Sequence, residues 1–194
     1  FSPVDISGAR GHLQINALNT RVSVENHSGS FEIDNNNGRV ILTDVTVTNL
    51  ESPASSSAHA RTENADVIVN RYSGPIHFHV VRGKIRGRSV SLAGMRSSLR
   101  NSGGLIDMRF DSVAPTARLE VRNSHESVHL RFSEDISATF NLTASENGSI
   151  DLLNIPHRVG KVADDRFEAV AGDGLAQIRV NTKFGGDIRI DGHR

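Results

Sequence analysis

The stretch SENGSIDL, residues 145–152, joins a turn pair, Asn147-Gly148, to an alternation of apolar and polar residues. The phrase recurs along the chain: HSGSFEI at 27–33, NNGRVIL at 36–42, YSGPIHFHV at 72–80, NSGGLIDMRF at 101–110 and KFGGDIRI at 183–190. NSHESVHLRF, at 123–132, repeats it with Glu126 in the glycine position. Asn and Gly mark bends, and apolar residues at every second position mark a strand with one buried face. A bend and a strand that return together predict turns of chain laid on one another.

The alternation names the expected core. Its inward positions are Val22 and Val24, Phe31 and Ile33, Val40 and Leu42, Val45 and Val47, and Val67 and Val69. They continue through Ile76, Phe78 and Val80, then Ile106, Met108 and Phe110, then Leu119 and Val121. Val128, Leu130 and Phe132 follow, with Phe140 and Leu142, Ile150 and Leu152, Ile178 and Val180, and Ile188 and Ile190. Helical periodicity is almost absent. Gly29 and Gly38 stand nine residues apart, as do Gly74 and Gly83, while Gly104, Glu126 and Gly148 are each twenty-two apart. Gly148 to Gly186 reads as two more turns of nineteen.

A period near twenty, split in places into halves of nine, marks a repeat architecture. The expected fold is all-β, a single domain over 1–194 built as a single-stranded β-helix or solenoid with coils of about twenty residues. A β-sandwich also gives many short strands, but not one phrase at a repeated offset. Two segments break the rhythm: the Ser-rich loop at 52–58, and an irregular excursion near 154–174 that reads as a hairpin holding Val162 and Phe167.

Glycine is expected at the bends because it reaches positive φ without a Cβ penalty, and asparagine tolerates that region better than most residues. Asn26, Asn35, Asn101, Asn123 and Asn147 sit at or just before these bends. Stacked asparagines would also bond to neighbouring turns, as in Asn ladders. Asparagine is simply common in turns as well, and the sequence leaves both readings open. Phe31, Phe78, Phe110 and Phe132 are expected to stack in one internal column.

Composition narrows the function classes. The chain has 194 residues, with 22 basic and 22 acidic side chains, so no overall field draws it to nucleic acid or to an anionic membrane. It has no Cys, which removes thiol catalysis, disulfides and thiolate metal sites. No Trp and a single Tyr, Tyr72, argue against an aromatic platform for sugars or bases. No apolar run is long enough to span a bilayer, so no membrane insertion is expected of this segment. No signal peptide is visible, and the abrupt opening FSPVDISG is compatible with an export signal or anchor having stood upstream.

HLRFSEDISATFNLTASENGSIDLL, at 129–153, resembles a phrase of the bacterial adhesin-like repeat family, the auto-transporter-adhesin-like head domains. There a strand, an acidic turn and a second strand lead to a Ser/Asn-Gly-x-Ile ending. GDGLAQIRVNTKFGGDIRIDG, at 172–192, is similar to the family's closing phrase. The resemblance is closest over 129–192 and looser over 22–190. It implies a β-solenoid, an exported or membrane-anchored bacterial protein in the periplasm or on the cell surface, and no catalytic residue to carry over. Glu126 and the Ser-rich loop depart from the pattern, which implies local distortion of the coil there.

Candidate contact residues follow from strand phase. His77 and His79 share one strand face, and His129 lies on a similar strand further on. Two imidazoles and a carboxylate would suit zinc, but no third ligand is placed by the sequence, and no metal or cofactor is expected. Lys84, Arg86 and Arg88 alternate on one face and could meet an acidic glycan. Asp107, Arg109, His129, Arg131, Asp151, Asp187 and Arg189 could align as a charged stripe across successive coils. Carboxylates one or two coils apart would then meet the separation that glycoside hydrolysis requires.

The expected function is a non-enzymatic cell-envelope binding or scaffold module, contacting a glycan or another envelope protein through Lys84, Arg86, Arg88, His77, His79, Asp107, Arg109, His129 and Arg131. A polysaccharide-active enzyme on the same scaffold and a self-stacking polymer are the alternatives.

Overall fold

The computed structural model describes residues 2–47, 58–93, 96–145, 147–163 and 165–194. Alternating burial follows the alternating sequence throughout, as in VHLRFS, where Val128, Leu130 and Phe132 are buried and the residues between them are not. β1 (Val4–Ser7), β2 (Leu13–Leu18) and β3 (Arg21–Glu25) lead into two long strands, β4 (Phe31–Thr46) and β5 (Ala58–Ser73). β6 (His77–Val81), β7 (Ile85–Leu92), β8 (Arg96–Asn101), β9 (Ile106–Val113), β10 (Arg118–Asn123) and β11 (Val128–Ser133) follow at short intervals. Then come β12 (Ala138–Thr143), β13 (Ile150–Leu153), β14 (His157–Ala163), β15 (Arg166–Ala171), β16 (Ala176–Thr182) and β17 (Ile188–His193). The protein is all-β, with its strands joined in one large, mostly parallel sheet. Most of the Ser-rich loop lies outside the described residues.

The pairings fall into two series. The first runs through β2, the start of β4, the start of β5, β6, β8, β10, β16 and β12. The second runs through β1, β3, the ends of β4 and β5, β7, β9, β11, β17 and β13. Partners lie eighteen residues apart at first (Val4 on Val22, Val22 on Val40), then twenty-seven across the Ser-rich loop, and later twenty-one and twenty-two. Inward side chains of both series form one apolar cluster. Every expected inward residue is buried except Ile150 and Leu152. Those two are half-buried because, among the described residues, β13 pairs with β17 and has no strand on its other side.

The order of the last strands departs from the sequence reading. Leu119 pairs with Ile178, and Ile178 also pairs with Phe140. Leu130 pairs with Ile190, and Ile190 also pairs with Leu152. The C-terminal strands β16 and β17 therefore lie between β10/β11 and β12/β13, and Gly186 does not follow Gly148 by two further turns. The excursion at 154–174 is the expected hairpin: β14 and β15 are antiparallel, with Val162 opposite Phe167. β15 also runs antiparallel on β12 and covers its free edge. On the outer strand of the hairpin, Arg158, Lys161 and a register shift between Val159 and Lys161 discourage further pairing.

The recurring phrase resolves into three jobs. The residue that opens or just precedes the bend points inward: Asn35, Thr62, Asn101, Asn123 and Thr182 are buried and fall on one register line. Asn101 Nδ2 donates to the Gly104 carbonyl three residues on and to the Gly83 carbonyl of the preceding turn, each at 2.8 Å. Asn123 Nδ2 donates to Gly104 O at 2.9 Å and Glu126 O at 2.7 Å. Bend carbonyls that would be buried without partners are satisfied in this way. The buried asparagines thus form a ladder to backbone. They do not adopt the positive φ expected of them.

Left-handed positions include Asn19, Asn37, Asn64 and Arg82 on one bend, and Asn26, Asp44, Arg71 and Ser89 on the other. Asn37 Nδ2 donates to Asn19 Oδ1 and Asn64 Nδ2 to Asn37 Oδ1, an exposed second ladder.

The phrase's last glycine is fixed by proximity. A Cβ on Gly38 would lie 2.0 Å from Thr20 O, one on Gly83 2.0 Å from Ala65 O, and one on Gly104 2.0 Å from Gly83 O. Glu126 falls on the same line, and its strand keeps register on both sides. The distortion expected there lies instead in β7, where pairing with β9 shifts between Gly87 and Val90 and again at Ser91.

The aromatic residues form two groups and not one column. Phe31 and Phe78 each meet Tyr72 edge-on, at 6.4 and 6.5 Å. Phe110 stacks on Phe132 at 5.0 Å, and Phe132 meets Phe140 at 5.9 Å. Tyr72 is buried and donates its hydroxyl to Pro75 O at 2.6 Å, and burial pushes its phenol up.

Replacing Gly104 with Ala is expected to cost about 1–3 kcal/mol, because backbone must move to admit the methyl group. Gly103→Ala, where the nearest atom would be 3.4 Å away, is expected to stay within about 0.5 kcal/mol of the parent. Urea unfolding of the two variants checks the contrast.

Candidate functional site

The in-register pairing decides which outward side chains meet. On the second series one line reads Ile68, Arg86, Asp107, His129, Arg189, Asp151. A neighbouring line carries Arg109, Arg131, Asp191 and Leu153, with Arg88 at the shifted end of β7. Six of the nine candidates share this surface: Arg86, Arg88, Asp107, Arg109, His129 and Arg131. Arg189 and Asp191 join them. Arg189 stood in the expected stripe, whereas Asp191 becomes visible only once β17 is known to lie on β11.

Much of this surface is compensated internally. Arg131 donates to Asp107, and His129 Nδ1 lies 3.8 Å from the same carboxylate. Arg109 lies 3.4 Å from Asp111, and Arg189 3.1 Å from Asp191. Asn154 donates to Asp191 at 2.7 Å, and this bond, with Arg189 beside it, holds the carboxyl below the usual range. Burial and then the Arg131 guanidinium push the His129 imidazole down, against the pull of Asp107. Among the described residues His129 Nε2 and Arg131 Nε are buried without a hydrogen-bond partner, a cost the close network imposes on its own members.

Arg86 and Arg88 differ: both are exposed, and neither has a carboxylate partner among the described residues. They border a shallow depression of about 360 Å³ lined also by Ile68, Asn70, Asp107 and Arg131. Lys84 is not part of it. It lies in the turn before β7, where its backbone N–H donates to Asp66 at 2.9 Å.

His77 and His79 sit on the first series, away from this group. His59, His77 and Ser98 share one register line, and Arg61, His79 and Arg100 share the next. The His59 and His77 rings stack at 4.9 Å with 19° between their planes, and His77 Nδ1 lies 3.1 Å from Ser98 Oγ. Burial, then His59 and Arg100, push the His77 imidazole down, and burial, Arg61 and Arg100 do the same to His79. His59, Arg61 and Arg100 did not figure among the sequence candidates. The signal that finds His59 and Arg61 is the eighteen-residue offset, which lays them beside His77 and His79; Arg100 needs the longer offset of twenty-one.

The arrangement restricts chemistry. Asp107 and Asp151 stand three strand spacings apart on their line, about 14 Å, beyond the separation at which two carboxyls share a glycosidic bond. Among the described residues no group of three His, Asp or Glu side chains is placed to hold a metal ion. Among the described residues no helix is long and apolar enough to cross a membrane.

The three depressed imidazoles give stability a pH dependence of known sign. Above roughly pH 6.5 they are neutral in both folded and unfolded chains. As pH falls through that value the unfolded chain takes up protons first, so the fold loses stability until the lower folded values are passed. Melting temperature is expected to be lower at pH 5.5 than at pH 8, and the difference should shrink when His77, His79 and His129 are all replaced by Gln. An unchanged pH profile in that variant would contradict the assignment.

Comparison of the chain with protein families, with curated proteins and with solved structures finds no match, so its function is read from the geometry above.

Proposed function

We propose that the chain is a non-enzymatic binding or scaffold module of the adhesin-like kind: a two-sided β-solenoid, working outside the cytoplasm, that holds an acidic glycan on the outward side of β5, β7, β9 and β11. Displacements near twenty residues, two parallel series and one shared apolar cluster support the solenoid reading. Equivalent outward positions then recur every ~4.8 Å, which suits an extended polymer better than a compact substrate.

The observation that carries the ligand class is the pair Arg86 and Arg88, exposed beside a depression and without carboxylate partners among the described residues. A planar guanidinium donates two parallel hydrogen bonds to a carboxylate or a sulfate. Neutral sugars fit less well, since they are held largely by aromatic faces and no aromatic residue lines the depression. The Arg131–Asp107–His129 network beneath keeps the surface rigid, so little ordering accompanies binding.

Calorimetric titration with acidic oligosaccharides tests the proposal. The double variant Arg86→Ala/Arg88→Ala is expected to lose roughly tenfold or more in affinity while its melting temperature holds, because charge-assisted hydrogen bonds are lost and no core contact is. Cleaved glycan in the reaction mixture would replace this reading with the enzymatic one.

A further inference from the structure

The first series presents a different charge pattern. Arg61, His79, Arg100 and Arg122 follow one another in register across β5, β6, β8 and β10, ~4.8 Å apart. All four are exposed. Arg96 and Arg118 pair at the start of the same strands. Like charges placed directly opposite one another oppose folding, and nothing in the core requires them.

The carboxylates on this side are few. Glu120 takes Arg122 at 2.5 Å and reaches Arg100 only at 4.0 Å. Glu63 is engaged by Arg82 at the bend. On β4, Glu32 is in register with His59 and Asp34 with Arg61, and no ion pair forms between Asp34 and Arg61. Arg61 has no carboxylate partner among the described residues.

Beside this line lie the stacked rings of His59 and His77. Protonating His77 places its charge against Arg100, and protonating His79 places its charge against Arg61 and Arg100. An anion lying along the line would relieve that repulsion, so anion binding and imidazole protonation must favour one another, each by the same factor.

We propose that the outward side of β5, β6, β8 and β10 is a second site for an acidic polysaccharide, with Arg61 and Arg100 as its anion contacts and His77 and His79 as proton-coupled contacts. It shares the ligand class of the reading above but none of its residues. The guanidinium line gives affinity at any pH, and the imidazoles add charge as pH falls. A polymer with anionic groups along its length matches a surface on which guanidinium and imidazole side chains share one register line.

The test is calorimetry on the full chain with a carboxylated polymer, polygalacturonate, and a sulfated one, dextran sulfate, at pH 8 and pH 5.5, where both polymers stay ionised. Unmodified dextran and single-stranded DNA are the controls. Affinity is expected to rise at least about fivefold at the lower pH. Proton uptake should appear as a dependence of the binding heat on buffer ionisation. Arg61→Ala/Arg100→Ala should weaken this one of the two classes of site roughly tenfold at both pH values, without lowering the melting temperature. His77→Gln/His79→Gln should remove most of the pH dependence and leave binding at pH 8 intact.

The two polymers separate carboxylate from sulfate recognition. Full binding by the Arg61/Arg100 variant, pH-independent affinity in the parent, or equal binding of dextran or DNA would overturn the proposal. If binding falls only in the Arg86/Arg88 variant, the first site stands and this one fails. If it falls only in the Arg61/Arg100 variant, the first site fails and this one stands.

Discussion

Stacked bends govern this structure. Neighbouring turns approach so closely that a methyl group on Gly38, Gly83 or Gly104 would sit 2.0 Å from a carbonyl oxygen of the turn before it. Such an approach buries bend carbonyls, and buried carbonyls need donors. Asn35, Asn101 and Asn123 supply them from inside. A glycine line and an amide line thus stand side by side, the one permitting contact and the other satisfying what contact buries. Strand register follows from the bends, and surface pattern follows from register. Each outward residue faces the one about a turn earlier, so the charge map is a consequence of where the bends sit in the sequence.

Core positions were legible wherever apolar residues alternate cleanly, as at Val22 and Val24 or Leu130 and Phe132. They were less legible where small or polar residues take the inward places. Ala58 and Ala60 are buried in β5, and Leu99 is the one large apolar residue of β8. The role of the bend asparagines was legible only in part. Composition pointed to the bends, but whether an amide faces in, as Asn101 does, or takes positive φ, as Asn37 does, depends on its place within the phrase. Spatial order was the least legible feature. Periodicity gives spacing along the chain, and a hairpin between two turns lets the later one, β16 and β17, pair inside the earlier one.

The same limit governs the candidate site. Strand phase correctly sends Arg86, Asp107, His129 and Arg131 outward, yet it cannot say which meet. Register sets Asp107 between Arg86 and His129, but its carboxylate turns to Arg131 and His129, and Arg86 and Arg88 form no ion pair among the described residues. It also separates His77 and His79 from that group and places Arg61 and Arg100 around them. With balanced charge over the whole chain, local excess of arginine on two strand surfaces is the feature with most to say about partners.

Disulfide trapping tests the central claim, in-register parallel stacking with the C-terminal strands inserted, most directly, and the chain has no native cysteine to interfere. Glu120 and Arg179 are opposite one another, as are Arg179 and Asn141, and all three face outward. Neighbouring parallel strands lie within the reach of a disulfide, and strands two apart, at about 9.6 Å, do not. Glu120→Cys/Arg179→Cys and Asn141→Cys/Arg179→Cys are expected to cross-link rapidly under mild oxidation, and Glu120→Cys/Asn141→Cys to stay reduced. Cross-linking of 120 to 141 without cross-linking of 120 to 179 would mean that the strands stack in chain order, and would contradict the account.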